Sequence, residues 1–544
     1  MNIFDRILVK RPKRSLFNLS HEVKLTGNMG WLYPILCQEV IPGDTWKINS
    51  EVLCRFAPLT APIMHRVNLK MNYFFVPMRL IWDEWETFIT GGEDGKHFPV
   101  KPYFEANKLL LETKLKQGTL FDHLGFPTVD ETNPAGQSTV YKFDVLPFRA
   151  YSLIWNEYFR NQNLQAEVPV AKTSGKDTIT NFDLLRRCWE KDYFTSALPF
   201  VQRGDPVKIP IGSAGIEISG TGNIVVQSGE LVNLDKETTD ELMAHSSGGD
   251  WHFVSGEHGS SSDYYDNGDS LAVQGEVSAS DIASKLFGDI DTIEGTINDL
   301  RTAYRLQRWL ENNARAGSRY IEQILSHFGV KSSDARLQRP EYLGGYSTPI
   351  IISEVLQNSG VQIDAQGDPV GTPQGNMAGK GMAVDKSHYV KRYFEEHGYV
   401  IGLLSVLPRT TYQQGLPRQY QRNDRYDYYF PEFANLGEQD IRNNEVYFNF
   451  TTPSGDTTTF GYQQRYSEYR YIPSSVHGDF RNSLRFWHLG RFFRVAPALN
   501  AEFVKADVSD RVFAVDDPTI DKLWIEVYNN IRAVRPMPKF AIPS

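Results

Sequence analysis

From Val67 to Phe75, the residues Val67, Leu69, Met71, Tyr73 and Phe75 alternate with Arg66, Asn68, Lys70, Asn72 and Phe74, and Pro77 closes the run. A period of two puts one set on a single face of an extended chain, and proline cannot donate to a ladder. The stretch therefore predicts a half-buried β-strand ending at Pro77, within a wider window, 40–77, that reads as strands. Tyr399–Leu407 is a continuous apolar run. It falls far short of the roughly 18 residues that span a bilayer and has the length of a buried strand. Val446–Phe450, Thr457–Tyr462 and Leu523–Val534 also read as extended, with Pro453, Ser454, Gly455 and Asp456 as a hairpin turn between the first two.

Helices are predicted between these ends. Over 147–162, Pro147 suits a first turn, and Phe148, Tyr151, Ile154, Trp155 and Tyr158 recur three or four apart, a stripe for core or interface. A longer helix over 291–316 carries Ile293, Ile297, Leu300, Tyr304 and Leu310 on or near one face until Gly317 breaks it. Ser318 then serves as N-cap of a short helix to Phe328, with Glu322 near its first turn and Gly329 as the C′ residue. No fixed-period repeat and no alternating β-α pattern is present. Strands at both ends with helices and loops between them give a mainly β chain, a single β-sandwich elaborated by its connections.

Charge is distributed unevenly. The 544 residues carry a formal charge of −9, but 221–290 alone hold 13 acidic and two basic side chains, so that removing this stretch's −11 leaves +2 for the rest. The stretch also has nine glycines and eleven serines, the composition of a surface insertion or linker. Trp251, Phe253, Tyr264, Tyr265, Leu271 and Val273 give it material to pack or present, which favours a protrusion. Both ends are basic: residues 1–14 sum to +4 through Arg6, Lys10, Arg11, Lys13 and Arg14, and Arg532, Arg535 and Lys539 add +3 with no acid among them. Such tails are commonly just solvated, yet as a pair they suit arms that touch a polyanion. No apolar h-region follows the first cluster, so no secretory signal is expected.

Thr411–Arg494 is compositionally distinct: 20 aromatics, ten arginines and no lysine in 84 residues. Interfaces favour tyrosine, tryptophan, phenylalanine and arginine over lysine, which points to subunit contact, with Arg465, Tyr466, Tyr469, Arg470 and Tyr471 as candidates. The rival reading stacks bases on Tyr462, Tyr466, Tyr469 and Tyr471 with phosphates on Arg465 and Arg470. Nine acidic residues in the same window, Asp424, Asp427 and Glu468 among them, nearly neutralise the arginines and weaken that reading.

Enzyme signatures fail. Gly375–Gly381 is one residue short of a phosphate loop, and glycine follows its lysine; Asp263–Glu276 puts Tyr265 where a calcium loop needs an oxygen ligand. His245, His252 and His258 lack a helical metal spacing, and no HExxH or GxSxG is present. Cys37, Cys54 and Cys188 are too few for a disulfide framework and suit a reducing compartment. No catalytic residue, metal ligand or cofactor is expected. The competing class is a carbohydrate-binding or carbohydrate-active β-sandwich, with Trp251, Tyr264 and Tyr265 stacking on sugar rings.

Long stretches carry a resemblance. Leu19–Gly30 (LSHEVKLTGNMG), Ala61–Arg66 (APIMHR), Phe74–Pro77 with Arg79–Trp82, Leu146–Leu164 (LPFRAYSLIWNEYFRNQNL) and Trp189–Gly204 (WEKDYFTSALPFVQRG) resemble the major capsid proteins of gokushoviruses, small tailless single-stranded DNA bacteriophages of the Microviridae. The likeness continues through Leu310–Gly345, Pro373–Gly381, Phe394–Arg418 and Gly461–Phe480 and is poorest over 221–290. It implies an eight-stranded jelly roll with large inserted loops, pentamers and a sixty-copy T=1 shell around circular single-stranded DNA. It makes Pro373–Gly381 a structural loop and brings no catalytic residue. Residues 1–39 would be an N-terminal arm, 40–220 the first strands with helical insertions, 221–290 a spike loop at the three-fold axes, 291–345 a helical insertion, and 346–544 the remaining strands and a basic C-terminal arm. Lys10, Arg11, Lys13, Arg14, Arg532, Arg535 and Lys539 become DNA-contact candidates, and Trp251, Phe253, Tyr264, Tyr265, Asp266 and Asp269 host-attachment candidates. The implied partners are packaged DNA, a small internal DNA-binding protein, a scaffolding protein and a host surface receptor. The implied locations are the virion and, during assembly, the host cytoplasm.

Overall fold

The structure, a computed structural model, describes residues 13–130, 141–205, 207, 297–317, 319–331, 333–356, 377–452 and 455–540, with the backbone of short strands at 225–226, 243–245, 251–253, 271–272, 362–363 and 369–370. The strands that organise it are β1 (Ser15–Asn18), β2 (His21–Gly27), β3 (Tyr33–Val40), β4 (Thr45–Phe56), β5 (Val67–Pro77), β6 (Glu341–Leu356), β7 (Met377–Lys386), β8 (Val390–Tyr393), β9 (Gly398–Pro408), β10 (Glu438–Arg442), β11 (Thr459–Gln464) and β12 (Leu523–Arg535). By contacts the chain divides into two units, Met1–Gly204 with Trp309–Ser544, and Asp205–Arg308.

In the larger unit, β1–β9 and β12 join in one ten-stranded antiparallel sheet. β1 and β2 pair with successive parts of β12, Ser15 opposite Arg535 and His21 opposite Asn529, so together they act as one interrupted strand. β7 and β8 do the same along β4, Lys386 opposite Glu51 and Val390 opposite Ile48. β6 pairs with β5 through Glu341–Ile350 and with β7 through Ile351–Leu356, passing from one layer to the other. The result is two four-stranded layers. The terminal layer is β1/β2, β12, β4 and β7/β8; the other is β6, β5, β9 and β3. Counted along the chain, the eight strands run 1-8-3-6 in the first layer and 5-4-7-2 in the second, the eight-stranded jelly roll. Leu25, Val52, Cys54, Phe56 and Ile525 from the first layer meet Val67, Leu69, Met71, Leu404 and Val406 from the second in the core.

The second layer is buried on its outer side as well. α1 (Leu146–Ile154), continued by a π-helical turn at Trp155–Phe159, packs with Trp82, Phe104, Leu120 and Phe121 over Phe74, Ile401 and Leu403. Fully burying a side chain such as Phe148, which has no exposed surface, contributes roughly 1.5–3 kcal/mol. The helix cover explains the two sequence signals. β9 is buried at every position, hence its unbroken apolar run, and Phe74 breaks the polar register of β5 because a helix lies over it. Arg149 ties the cover together: wholly buried, its Nε donates to Asp177 at 2.8 Å and its guanidinium reaches the carbonyls of Ile81 and Thr173.

Some local expectations change. The Gly-rich run expected as a loop enters strand β7 at Met377, and a Cβ on Gly379 would lie 2.5 Å from the Ala61 carbonyl oxygen, so close packing accounts for its glycine. Val446–Phe450 is not a strand: Asn443–Val446 is a helical turn, held because Glu445 is drawn inward by Arg418 and Tyr193. The hairpin expected across 453–456 is absent in that form, since β11 pairs with β10 across a longer connection; Pro453 and Ser454 lie outside the described residues. The longer predicted helix appears as α2 (Ile297–Ala316), and its residues 291–296 lie outside the described ones. α3 (Tyr320–Phe328) has Arg319, not Ser318, at its N-cap, and Ser318 too lies outside them; Gly329 ends the helix at φ 67°. Within 1–39, strands β1, β2 and most of β3 build into the sandwich. In the smaller unit, Val225–Val226 pairs with Leu271–Ala272 and Met243–His245 with Trp251–Phe253, both antiparallel.

Candidate assembly and nucleic-acid surfaces

The terminal cations differ in what holds them. Lys10 and Arg11 lie outside the described residues; Lys13 and Arg14 are exposed, with the Arg14 guanidinium 5.7 Å from the Tyr393 ring. Arg535 is drawn into the fold: it sits 3.2 Å from the buried Asp44 carboxylate, 5.3 Å from the Trp46 ring, and donates to the Glu39 carbonyl at 2.9 Å. Lys539 is exposed beside Phe540. Arg532 is exposed on β12 and has no carboxylate within ion-pair distance among the described residues.

Arg532 belongs to a feature that no local pattern shows. On the outer side of the terminal layer, the strand register brings Asn18, Arg532, Lys47 and Lys391 abreast across β1, β12, β4 and β8. Lys47 and Lys391 are exposed and likewise without an ion pair among the described residues. The neighbouring acids are already engaged: Glu51 with Lys386 at 2.5 Å, and Glu22 and Glu526 with Lys24 at 2.7 and 3.3 Å. Trp524, Tyr528, Ile351 and Val384 on the same side remain 45%, 37%, 69% and 68% exposed. Only knowledge of which strands pair, and in what register, could have found this row from the sequence.

The arginine- and aromatic-rich region surrounds the β10–β11 ladder, with Ile441, Val446 and Phe460 in a separate small core beside Tyr193, Phe194 and Phe503. Much of its unusual composition is spent internally. Arg491 lies 4.2 Å from the Phe503 ring and 5.1 Å from Phe493 and donates to the Phe503 carbonyl; Arg485 lies 3.9 Å from Phe492. Planar arginine can stack and donate at once, which suits a region with little regular secondary structure. Burial pushes the Glu445 carboxyl above its ordinary range, opposed by the Arg418 guanidinium at 3.0 Å.

The five contact candidates divide. Tyr466 is only 3% exposed and adopts φ 63°, unusual for a large side chain; its N–H donates to Gln439 Oε1 and its hydroxyl to the Tyr428 carbonyl. Arg465 packs 5.0 Å from the Tyr466 ring, and Tyr471 stacks on Tyr193 at 6.4 Å. Tyr469, under the Arg422 guanidinium at 4.5 Å, and Arg470, donating to Gln464 Oε1, are exposed. Tyr466 and Tyr469 meet edge-on, while Tyr471 stacks elsewhere, so these rings form no continuous base-stacking ladder. Tyr420, Phe450 and Ile472 rim an open cleft of about 920 Å³.

Trp251 and Phe253 lie on one of the short paired strands whose side chains are outside the described residues, as are Tyr264, Tyr265, Asp266 and Asp269 altogether. Among the described residues no group of three or more His, Cys, Asp or Glu side chains could hold a metal ion, and no helix is long and apolar enough to cross a membrane. Burial pushes the Cys37 and Cys54 thiols up to about 12, far from nucleophilic thiolates.

A jelly roll whose connections carry an arginine- and aromatic-rich surface defines a structural building block of the kind found in viral shells. The comparisons agree. The family described as "Capsid protein (F protein)" of phages matches residues 6–544. Capsid protein VP1 of Chlamydia phage 1 is 36% identical over 602 aligned positions, covering 100% of this chain and 97% of the relative. VP1 of Bdellovibrio phage phiMH2K is 35% identical (99% and 97% covered), and VP1 of Spiroplasma virus 4 is 31% identical (98% and 95%). The chain belongs to this family of phage capsid proteins and is a structural component of a virion.

Proposed function

We propose that the chain assembles as sixty copies into a T=1 shell around circular single-stranded DNA, and that 221–290 forms an outward protrusion that meets the host. The observation that carries this reading is the jelly roll itself, in a chain that matches the phage capsid family along nearly its whole length. A shell of identical subunits needs heterologous contacts that close by rotation, and the exposed aromatics around the 411–494 cleft offer surface for them. The −11 stretch separates an acidic outer element from a body of +2, compatible with DNA held inside. Lys10, Arg11, Lys13, Arg14, Arg532 and Lys539 remain as DNA contacts in this reading, while Arg535 has a structural partner in Asp44.

Electron microscopy of purified material tests the assembly: closed particles of about sixty subunits are expected, and a persistent monomer contradicts it. Deleting 225–285 should leave shells intact and abolish adsorption to host cells. Failure of the deletion variant to form shells counts against the protrusion.

A further inference from the structure

The row Arg532, Lys47 and Lys391 poses a physical problem. Cross-strand neighbours have Cβ atoms roughly 4.5–5.5 Å apart, and like charges directly opposite destabilise a sheet. Here three cations stand abreast on adjacent strands, Arg532 opposite Lys47 and Lys47 opposite Lys391. No carboxylate among the described residues pairs with them, although the same face ties up Lys24 and Lys386 with glutamates. Outside 221–290 acids and bases are nearly balanced at +2, and Lys24 and Lys386, outward lysines of this layer, have glutamate partners, so a row left without an acid stands out. The outward positions from Arg532 toward Leu523 on β12 are Asn530, the half-exposed Tyr528, Glu526 and the half-exposed Trp524; Tyr528 stands opposite Glu22 and Glu51, and these three glutamates are each paired with a lysine. Arg14 and Lys13 precede Ser15, which pairs with Arg535 at the end of the same layer.

We propose that the outer side of the terminal layer is a binding surface for single-stranded nucleic acid, with phosphates neutralising Arg532, Lys47 and Lys391 and bases meeting the rings of Tyr528 and Trp524. Charge selects the occupant: a row of cations without acidic partners, with aromatic plates further along the same side of β12, fits a polyphosphate chain carrying flat bases. The identification of that polyanion as nucleic acid rests on the capsid reading. The surface extends beyond basic terminal arms because two of its three cations, Lys47 and Lys391, come from strands β4 and β8, far in sequence from either terminal cluster.

The test is the salt dependence of binding between the full chain and a labelled single-stranded oligonucleotide. Each phosphate neutralised on a single strand contributes about 0.7 to the slope of log K against log salt, so the triple variant K47Q/K391Q/R532Q should lose about 2 from it. Its melting temperature should stay level or rise, because opposed like charges have been removed. Lys391→Gln alone, on the edge strand β8, should lose about 0.7 and guards against a triple variant that fails to fold. Unchanged slopes overturn the proposal. So does a triple variant that binds the oligonucleotide normally but no longer associates with other copies, since the face is then a subunit contact. Variant shells that form normally by electron microscopy yet retain DNA with the parent's salt sensitivity overturn it while leaving the capsid reading intact.

Discussion

The two layers of the sandwich share a core but differ on their outer sides. The layer of β6, β5, β9 and β3 carries a helical cover, with Phe74, Ile401 and Leu403 beneath α1 and its neighbours, whereas the layer that contains the first and last strands, β1 and β12, shows Trp524, Tyr528, Val384, Lys47 and Arg532 to solvent. The first is buried on both sides over β5, β9 and β3. The second keeps one side free, at the cost of exposed apolar and unpaired cationic groups, which is the condition of a surface that awaits a partner.

If the cover is what stabilises the first layer, its anchor should be the most sensitive point. Arg149→Met leaves the buried Asp177 carboxylate with only its Thr180 and Ile179 donors, takes a donor from two carbonyls, and should cost about 3–5 kcal/mol in urea unfolding; a cost below about 1 kcal/mol would mean that the helices are held by other contacts. Ile401→Ala, beneath the cover, should cost about 2–5 kcal/mol. A pH effect comes next, from the segment joining β4 to β5, where the Met64 N–H donates to the Trp487 carbonyl and the His65 ring bonds the Arg409 carbonyl. Burial, with His488 and Arg511 nearby, pushes the His65 imidazole down from 6.5 to about 4. A depressed pKa means that the unfolded chain binds the proton first, so this contribution is present above pH 6.5 and is lost as pH falls through about 4. His65→Gln should flatten the stability profile in that window by up to one proton; an unaltered profile would assign the acid sensitivity elsewhere. The smallest effect belongs to the open side: Val384→Ala should stay within about 0.5 kcal/mol. Equal costs for Ile401→Ala and Val384→Ala would erase the distinction between the layers.

The sequence was most legible where burial was simplest. Alternation from Val67 to Phe75 and the run at Tyr399–Leu407 became β5 and β9, and Leu523–Val534 became β12 almost residue for residue. β6 and β7 escaped notice because their outward positions are exposed and their inward ones include glycine, threonine and alanine, so that no clean alternation survives. The arginines and tyrosines of 411–494 pointed toward contact between copies, yet Tyr466 and Arg491 are used within the chain, since composition does not tell internal mortar from external surface. The cationic row was invisible for a different reason. Lys47, Lys391 and Arg532 are ordinary residues in separate strands, and only the ladder pairings make them neighbours.

A density map of assembled, DNA-filled particles tests the difference between the two layers most directly. The terminal layer's outer side is expected to face the particle interior, with nucleic-acid density against Arg532, Lys47 and Lys391. A map with that side on the outer surface, or buried between subunits with no nucleic acid beside it, would contradict it.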